Sequence, residues 1–303
     1  MKKTPFTVKV PATSANLGPG FDCLGLALNL WNEASFSFQG NSLVITAEGY
    51  TRNDMPSGTD NLIYTSFCEF CTKRGTEIPG GIEIKCTNRI PIGSGLGSSS
   101  TAVLIGIMAA NEYLETNLSK EQLLQEAAAI EGHPDNVGPA IYGGLTGAGM
   151  DEKSHVRLIN FPVAAWNIAL TVPHYNLLTS ESRKLLPQEI PLKNAVFNIG
   201  HSVLVLKALE TGDEELLGFA MKDKLHQPYR LPVIPGAAET IQAALDAGAA
   251  AAALSGAGPG LIAFSMSNPN LILEKMKLCL QKNHMACESF ISSVTNEGAY
   301  IIH

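Results

Sequence analysis

The chain has 303 residues, of which 45% are hydrophobic and 16% charged, a balance that builds a packed core and excludes global disorder. That length suits one large or two medium domains. Its 21 Lys and Arg against 28 Asp and Glu give a net charge of −7, and without a basic run duplex nucleic acid is excluded as a partner.

In chain order, residues 6–10 read as a strand, followed by a Gly- and Pro-containing loop over 11–26. Residues 34–38 and 42–47 alternate as half-buried strands, with Gly40-Asn41 as a hairpin turn between them. Asp60 is the expected cap of a helix over 61–73 that Gly75 ends. Residues 81–87 alternate again through Ile82, Ile84 and Cys86. The run 101–114 is apolar nearly all round and predicts a buried helix. Ser119 followed three residues on by Gln122 has the form of a capping box, opening a helix to about Ile130. Asp135 begins a short helix through Tyr142, closed by Gly143-Gly144. Residues 156–160 and 167–172 then read as a strand pair, and helices follow over 180–186, 192–209, 214–222 and 236–247. Strands over 250–254 and 261–265 flank a Gly-rich turn, and a helix over 271–282 with strands over 288–294 and 299–302 completes the chain. Strand and helix runs mixed without a strict βαβ rhythm place the fold in the α+β class. Two domains are expected, 1–163 and 164–303, with the boundary near 160–166.

Four segments carry chemistry. In Pro91-Ile92-Gly93-Ser94-Gly95-Leu96-Gly97-Ser98-Ser99-Ser100, three alternate glycines let backbone approach a ligand, and the serines open an apolar helix. A helix N-terminus offers unpaired N–H groups and the positive dipole end, which suits phosphate, while hydroxyls suit phosphate oxygens or Mg²⁺. No Gly-Lys-Ser/Thr follows, so this is not a Walker A loop, and the third glycine comes one residue early for a dinucleotide fingerprint. The bland alternative is a Gly-rich turn before a buried helix. The second segment, 11–22, is a polar loop after a strand in which Asn16 and Asp22 are placed to orient a small polar substrate, or Asp22 merely caps a helix. The third, Glu131-Gly132-His133-Pro134-Asp135-Asn136, packs proton-handling groups at a helix start; Asp135 is its one general-base candidate, or simply a cap. The fourth, Leu254-Ser255-Gly256-Ala257-Gly258-Pro259-Gly260, is a second phosphate-approaching loop or a hairpin connection.

These four segments, in this order and spacing, resemble the GHMP kinase superfamily over the whole chain, and 11–22 with His133-Pro134-Asp135-Asn136 resemble its homoserine kinase branch. Ser100-Thr101 departs from the pair of alanines that many relatives carry, another small pair. The resemblance implies a two-domain fold, ribosomal-protein-S5-like then ferredoxin-like, with the site in the cleft between. It implies transfer of the ATP γ-phosphoryl to the side-chain hydroxyl of L-homoserine in threonine biosynthesis, and a homodimer. It puts nucleotide on Pro91, Ile92, Gly93, Ser94, Gly95, Leu96, Gly97, Ser98, Ser99, Ser100 and Thr101, on Ser255, Gly256, Ala257 and Gly258, and adenine near Asn61, Leu62 and Ile63. Mg²⁺ falls to Ser99 and a helix glutamate; Glu126 fits the family spacing better than Glu131, and five residues apart, about 140° around a helix, both cannot face one ion. Asp22 supplies an anion for the substrate ammonium, Arg183 and Arg230 forks for its carboxylate, and Thr179 lies one turn before Arg183. Asn16, His133 and Asn136 orient substrate, with Asp135 as a weaker base.

Other readings fare worse. Cys68-x-x-Cys71 has no second ligand pair for zinc, and the six cysteines are too sparse for a disulfide scaffold, which points to a reducing cytoplasm. No apolar stretch reaches membrane-spanning length, and residues 1–10 lack the apolar run of a secretory leader. Mevalonate or shikimate as acceptor would leave Asp22 without an ammonium. A nucleotide-binding sensor without turnover is disfavoured by Ser99, Glu126 and Asn136 together. An oxidoreductase lacks its fingerprint.

Overall fold

The computed structural model describes residues 4–50 and 55–303. Its first sheet has seven strands: β1 (Phe6–Ala15), β2 (Leu24–Ser37), β3 (Leu43–Gly49), β4 (Ile82–Asn88), β5 (Leu145–Met150), β6 (Val156–Phe161) and the chain-terminal β11 (Tyr300–Ile302). The order is β11-β1-β2-β4-β3, with β5 pairing β2 and β6 beyond it. Helices α1 (Leu62–Lys73), α2 (Ser98–Leu114), α3 (Lys120–Glu131) and α4 (Val137–Tyr142) supply the apolar side chains that pack with this sheet around Phe36, Phe67, Ile84, Leu104 and Val137. The second sheet is antiparallel, in the order β10-β7-β9-β8, from β7 (Asn167–Pro173), β8 (Ala251–Leu254), β9 (Leu261–Ser265) and β10 (Cys287–Ser293). Helices α5 (Thr179–Lys184), α6 (Leu192–Thr211), α7 (Glu214–Ala220), α8 (Gln227–Arg230) and α9 (Ala237–Asp246) lie between β7 and β8, and α10 (Pro269–Lys282) between β9 and β10. The resulting β-α-β-β-α-β succession is the ferredoxin-like arrangement.

The expected hairpin at Gly40-Asn41 does not form. β3 is parallel to β4, which inserts between it and β2. A parallel neighbour needs a crossover, and α1 supplies it, burying Phe67, Phe70 and Cys71. The expected pair 156–160 and 167–172 is also broken: β6 pairs with β5, and β7 with β9 and β10. The segment β5, Leu-Thr-Gly-Ala-Gly-Met, carries too little side chain to announce a strand. β1 continues to Ala15, so the loop before β2 is only 16–23. The halves do not merely touch. One buried cluster takes Ala12, Leu17, Leu26 and Leu96 from the first half and Trp166, Leu170, Val205 and Leu217 from the second.

The capping box at Ser119 and Gln122 is present. At α1, however, the cap is Asn61 and not Asp60: Asn61 Oδ1 accepts from the amides of Ile63 at 3.0 Å and Tyr64 at 3.4 Å, and its Nδ2 donates to Pro56 O at 2.7 Å. Asn61→Ala is expected to lower stability by about 0.5–2 kcal/mol in urea unfolding, and the exposed Asp60→Ala to stay within about 0.5 kcal/mol of wild type.

Candidate functional site

A cavity of about 680 Å³ opens between the halves. Its walls come from the β1–β2 loop, the start of α1, the Gly/Ser loop before α2, the end of α3 and the turn after it, α5, Arg230 and the β8–β9 loop.

The Gly/Ser loop enters α2 through three left-handed glycines, Gly93, Gly95 and Gly97, at φ of 63°, 74° and 69°. At Gly95 a Cβ would collide with the carbonyl oxygen of Ser255, and at Gly97 with Thr13 Oγ1, so close approach as well as φ requires glycine there. Ile92, Gly93, Gly95, Gly97, Ser98, Ser99 and Ser100 line the cavity, as do Gly256, Ala257 and Gly258. The other residues expected here brace the loop instead. Leu96 is in the core, buried Ser94 accepts the Leu96 amide at 3.2 Å, and Thr101 Oγ1 donates to Gly97 O at 2.8 Å. Pro91 is buried, and Ser255 Oγ donates to Gly95 O at 2.7 Å. Asn61, Leu62 and Ile63 line the same cavity with Asn32, Met55 and Asn88, three residues that no sequence motif singled out.

The structure brings Glu131, and not Glu126, to the serines. Ser99 Oγ donates to Glu131 Oε1 at 2.7 Å, and Ser100 Oγ to Glu131 Oε2. Glu126 points elsewhere: Arg74 binds it at 2.8 Å and Lys73 lies 3.8 Å away, outside the cavity walls. Being last in α3, Glu131 leans toward the α2 N-terminus, while Glu126 faces the end of α1.

A second set of polar groups gathers around the β1–β2 loop. Asn16 and Asp22 hold left-handed φ of 70° and 56°; Asn16 Oδ1 accepts the Asp22 amide at 3.0 Å, and its Nδ2 donates to Gly256 O at 2.9 Å. Asp22 is bidentate with Arg183, at 2.8 and 2.9 Å. Arg183 and Thr179, both on α5, line the cavity, and Ser182 Oγ pins that helix to Ala257 O at 3.0 Å. Arg230 is 1% exposed and its Nη1 reaches Gly256 O at 3.4 Å and His226 Nδ1 at 3.3 Å. Among the described residues its Nε has no hydrogen-bond partner, and burial, with Arg183 nearby, lowers its pKa to about 10. The ring of Phe21 lies under both guanidiniums, 5.2 Å from Arg230 and 5.5 Å from Arg183, a cation–π platform that an aromatic between a Gly-Pro-Gly turn and an Asp hardly advertises.

Asp135 is not a helix cap. His133 Nδ1 donates to Asp135 Oδ1 at 2.6 Å, and Asn136 accepts from Thr13 Oγ1 at 2.8 Å. His133, Asp135 and Asn136 all line the cavity. Burial pulls the His133 pKa down, but the hydrogen bond and charge of Asp135, helped by Glu131 and Asp22, outweigh it and hold the value above the usual 6.5. A raised folded-state pKa stabilises the fold fully below the unfolded value and loses that contribution as pH rises through the folded one. The stability gap between wild type and His133→Asn is therefore expected to be widest near about pH 6 and to shrink toward about pH 9 in thermal unfolding.

The chain and its fold have counterparts among known proteins. Residues 61–144 match the family described as GHMP kinases N terminal domain, and residues 205–280 the family GHMP kinases C terminal. A homoserine kinase of Desulfitobacterium hafniense is 41% identical over 97% of this chain and 99% of its own, and one of Moorella thermoacetica 40% identical over 97% and 99%. The crystal structure of homoserine kinase from Cytophaga hutchinsonii superposes with a TM-score of 0.86 at 31% identity, covering 99% of this chain and 98% of that one. A mevalonate kinase of L. major shares the fold, with a TM-score of 0.74 at 16% identity over 98% of each chain. Identity near 40% sustained over almost the full length, on one shared two-domain fold, places the chain among the homoserine kinases of the GHMP kinase superfamily.

Proposed function

We propose that this cavity holds ATP and L-homoserine side by side and passes the γ-phosphoryl to the homoserine hydroxyl, giving O-phospho-L-homoserine and ADP. The observation that carries the acceptor assignment is Arg230: a buried guanidinium facing the cavity, with no carboxylate on it and its Nε unpartnered. Such a group calls for an anion. Beside it, Asp22 and Arg183 hold each other. An amino acid replaces that contact with two equivalent ones, its ammonium on Asp22 and its carboxylate on Arg183 and Arg230. Asn16 and Thr179 border the same place, and Asn136 and His133 orient the hydroxyl.

Nucleotide phosphates belong at Gly93–Ser100 and the β8–β9 loop, where backbone amides and hydroxyls converge on a helix N-terminus. Adenine belongs by Asn61, Leu62 and Ile63. For Mg²⁺ the donors fit: Glu131 and the hydroxyl of Ser99 are hard oxygen ligands. Among the described residues no three His, Cys, Asp or Glu cluster as a metal site, so protein and phosphate oxygens would share the ion. When bound, it neutralises charge on the transferring phosphate.

Among the described residues three carboxylates line the cavity, and each is engaged: Asp22 by Arg183, Glu131 by Ser99 and Ser100, Asp135 by His133. None stands free as a strong base. The residues therefore act by positioning and charge neutralisation, and Asp135 acts through His133. In the transfer the hydroxyl oxygen bonds to the γ-phosphorus as the bond to the bridging oxygen breaks. The hydroxyl proton leaves to a phosphoryl oxygen or to water. Residues 1–163 form the nucleotide-binding unit in this reading, and 164–303, whose last strand returns to the first sheet, contribute Thr179, Arg183 and Arg230. By the same resemblance it extends to a homodimer in the cytoplasm; the six cysteines are free thiols, as a reducing compartment keeps them.

ADP release from Mg-ATP should be stimulated by L-homoserine and not by mevalonate or shikimate; stimulation by another alcohol alone overturns the acceptor assignment. Arg230→Ala should lower kcat/KM for homoserine about 30-fold or more, with KM for ATP little changed. Glu131→Gln should raise the Mg²⁺ concentration for half-maximal rate by about tenfold, while Glu126→Gln, which loses only the Arg74 and Lys73 contacts, leaves it unchanged.

A further inference from the structure

Behind Arg230 lies a group that the transfer reaction does not itself require. His226 begins the turn into α8 and its side chain is fully buried. Its Nε2 lies 2.8 Å from the carbonyl oxygen of Gly18, which can only accept, so Nε2 carries a hydrogen. Its Nδ1 lies 3.3 Å from Arg230 Nη1, which can only donate, so Nδ1 carries a lone pair. Both ring nitrogens are thereby assigned by their partners: the imidazole is neutral, with its hydrogen on Nε2. Burial, reinforced by the Arg230 charge, works in the same direction and holds the His226 pKa below its usual value, against the pull of Asp223 and Asp22.

The surroundings leave the ring no freedom. Asp223, its side chain also fully buried, accepts the backbone amides of Leu225 at 2.8 Å, His226 at 3.0 Å and Gln227 at 2.6 Å, and the side-chain Nδ2 of Asn198 at 2.7 Å. Asp223 Oδ2 stands 3.5 Å from His226 Nε2, beyond a good hydrogen bond. Phe21 stacks on the imidazole at 5.4 Å and 25°. His226 thus joins the two elements that face the acceptor, the loop carrying Asn16 and Asp22 through Gly18, and the fork of Arg230 through Nδ1.

We propose that His226 is a positioning residue for acceptor recognition: as a neutral acceptor it holds one edge of the Arg230 guanidinium and so presents Nε, which the protein leaves unpartnered, to the substrate carboxylate. The proposal rests on the assignment of Arg230 to that carboxylate. A lysine, or any cation, at 226 would face Arg230 across 3.3 Å and displace the fork. An apolar residue would leave Nη1 with Gly256 O alone, at 3.4 Å.

The two bonds of the ring separate by substitution. In His226→Asn the side-chain Oδ1 stands near the Nδ1 position and accepts from Arg230, but nothing reaches Gly18. In His226→Gln the amide nitrogen reaches toward Gly18, but no acceptor stands at Nδ1. The experiment compares wild type, these two variants and Arg230→Ala on L-homoserine and on L-homoserinamide, which keeps the ammonium and hydroxyl but has no carboxylate. His226→Gln is expected to raise KM for homoserine by about tenfold, with KM for ATP and kcat/KM for the amide changed by less than about twofold; His226→Asn recovers most of the loss. Equal losses on both acceptors in His226→Gln, with Arg230→Ala still discriminating between them, overturn the proposal and leave the Arg230 assignment standing. If Arg230→Ala does not discriminate, the assignment fails and the proposal with it. Nitrogen-15 spectra of the wild-type imidazoles, with His226 identified by its loss in either variant, read the tautomer without relying on altered activity. A neutral Nε2–H ring is expected, and a protonated or Nδ1–H ring would overturn the proposal.

Discussion

Everything at the site depends on one seam, where the two Gly-rich loops grip each other across the halves of the molecule. Ser255 Oγ donates to Gly95 O at 2.7 Å and lies within hydrogen-bond distance of Ser14 Oγ at 2.9 Å, and the Gly260 amide donates to Ser94 O at 3.0 Å. The Gly256 amide reaches Ala15 O at 3.2 Å, and Asn16 Nδ2 returns to Gly256 O. Side chains larger than hydrogen at 95 would part these backbones. Because the shared core of Leu17, Leu96, Trp166 and Leu217 backs the seam, the halves meet as one packed body and not as a polar contact free to slide. Loop positions are then determined to the precision that phosphoryl transfer needs, where a small misplacement of the reacting atoms costs far more than a lost surface contact.

Around that seam the charges are arranged as exchanges. Asp22 and Arg183 satisfy each other when no amino acid lies between them, and Ser99 and Ser100 satisfy Glu131. Both sets of polar groups are therefore already satisfied within the protein. Arg230 is the exception. It is buried with no carboxylate hydrogen-bonded to it among the described residues, and its Nε is left unsatisfied, which is costly for a charged group.

The chain's four chemistry-bearing segments were legible because each has a local cause: left-handed glycines, a helix start, hydroxyls in a row. The capping box at Ser119 and the strands and helices of the βαββαβ second half were legible for the same reason. What escaped was non-local. Asn61 and Asp60 are equally good caps on paper, and only the path of the chain before α1 gives the place to Asn61. The hairpin at Gly40-Asn41 looked sound locally, but α1 carries the chain over the sheet and puts β4 where the partner strand was expected. Family spacing favoured Glu126 over Glu131, but it is Glu131 that meets Ser99 and Ser100, because which glutamate faces them depends on the angle between α3 and the start of α2. Phe21 and His226 gave no signal at all, since they act across some 200 residues, as in the bond from His226 to Gly18 with a separation of 208.

The division of labour that follows explains how one scaffold serves different acceptors. The mevalonate kinase of L. major shares the fold at 16% identity, so the two-sheet frame does not itself choose the alcohol. In this chain the loop at the start of α2 and the β8–β9 loop are held to each other by backbone contacts at the seam, and Glu131 at the end of α3 is tied to the same place by the hydroxyls of Ser99 and Ser100. The groups suited to an amino acid are side chains: Asp22 on one loop, Arg183 on a short helix pinned by Ser182, Arg230 on another held by Asp223 and His226. Backbone-held elements tolerate little change, because a shift in one loop moves the other. Side-chain-held elements can be rewritten a residue at a time while the seam stays closed, and substrate choice can therefore change without disturbing the nucleotide.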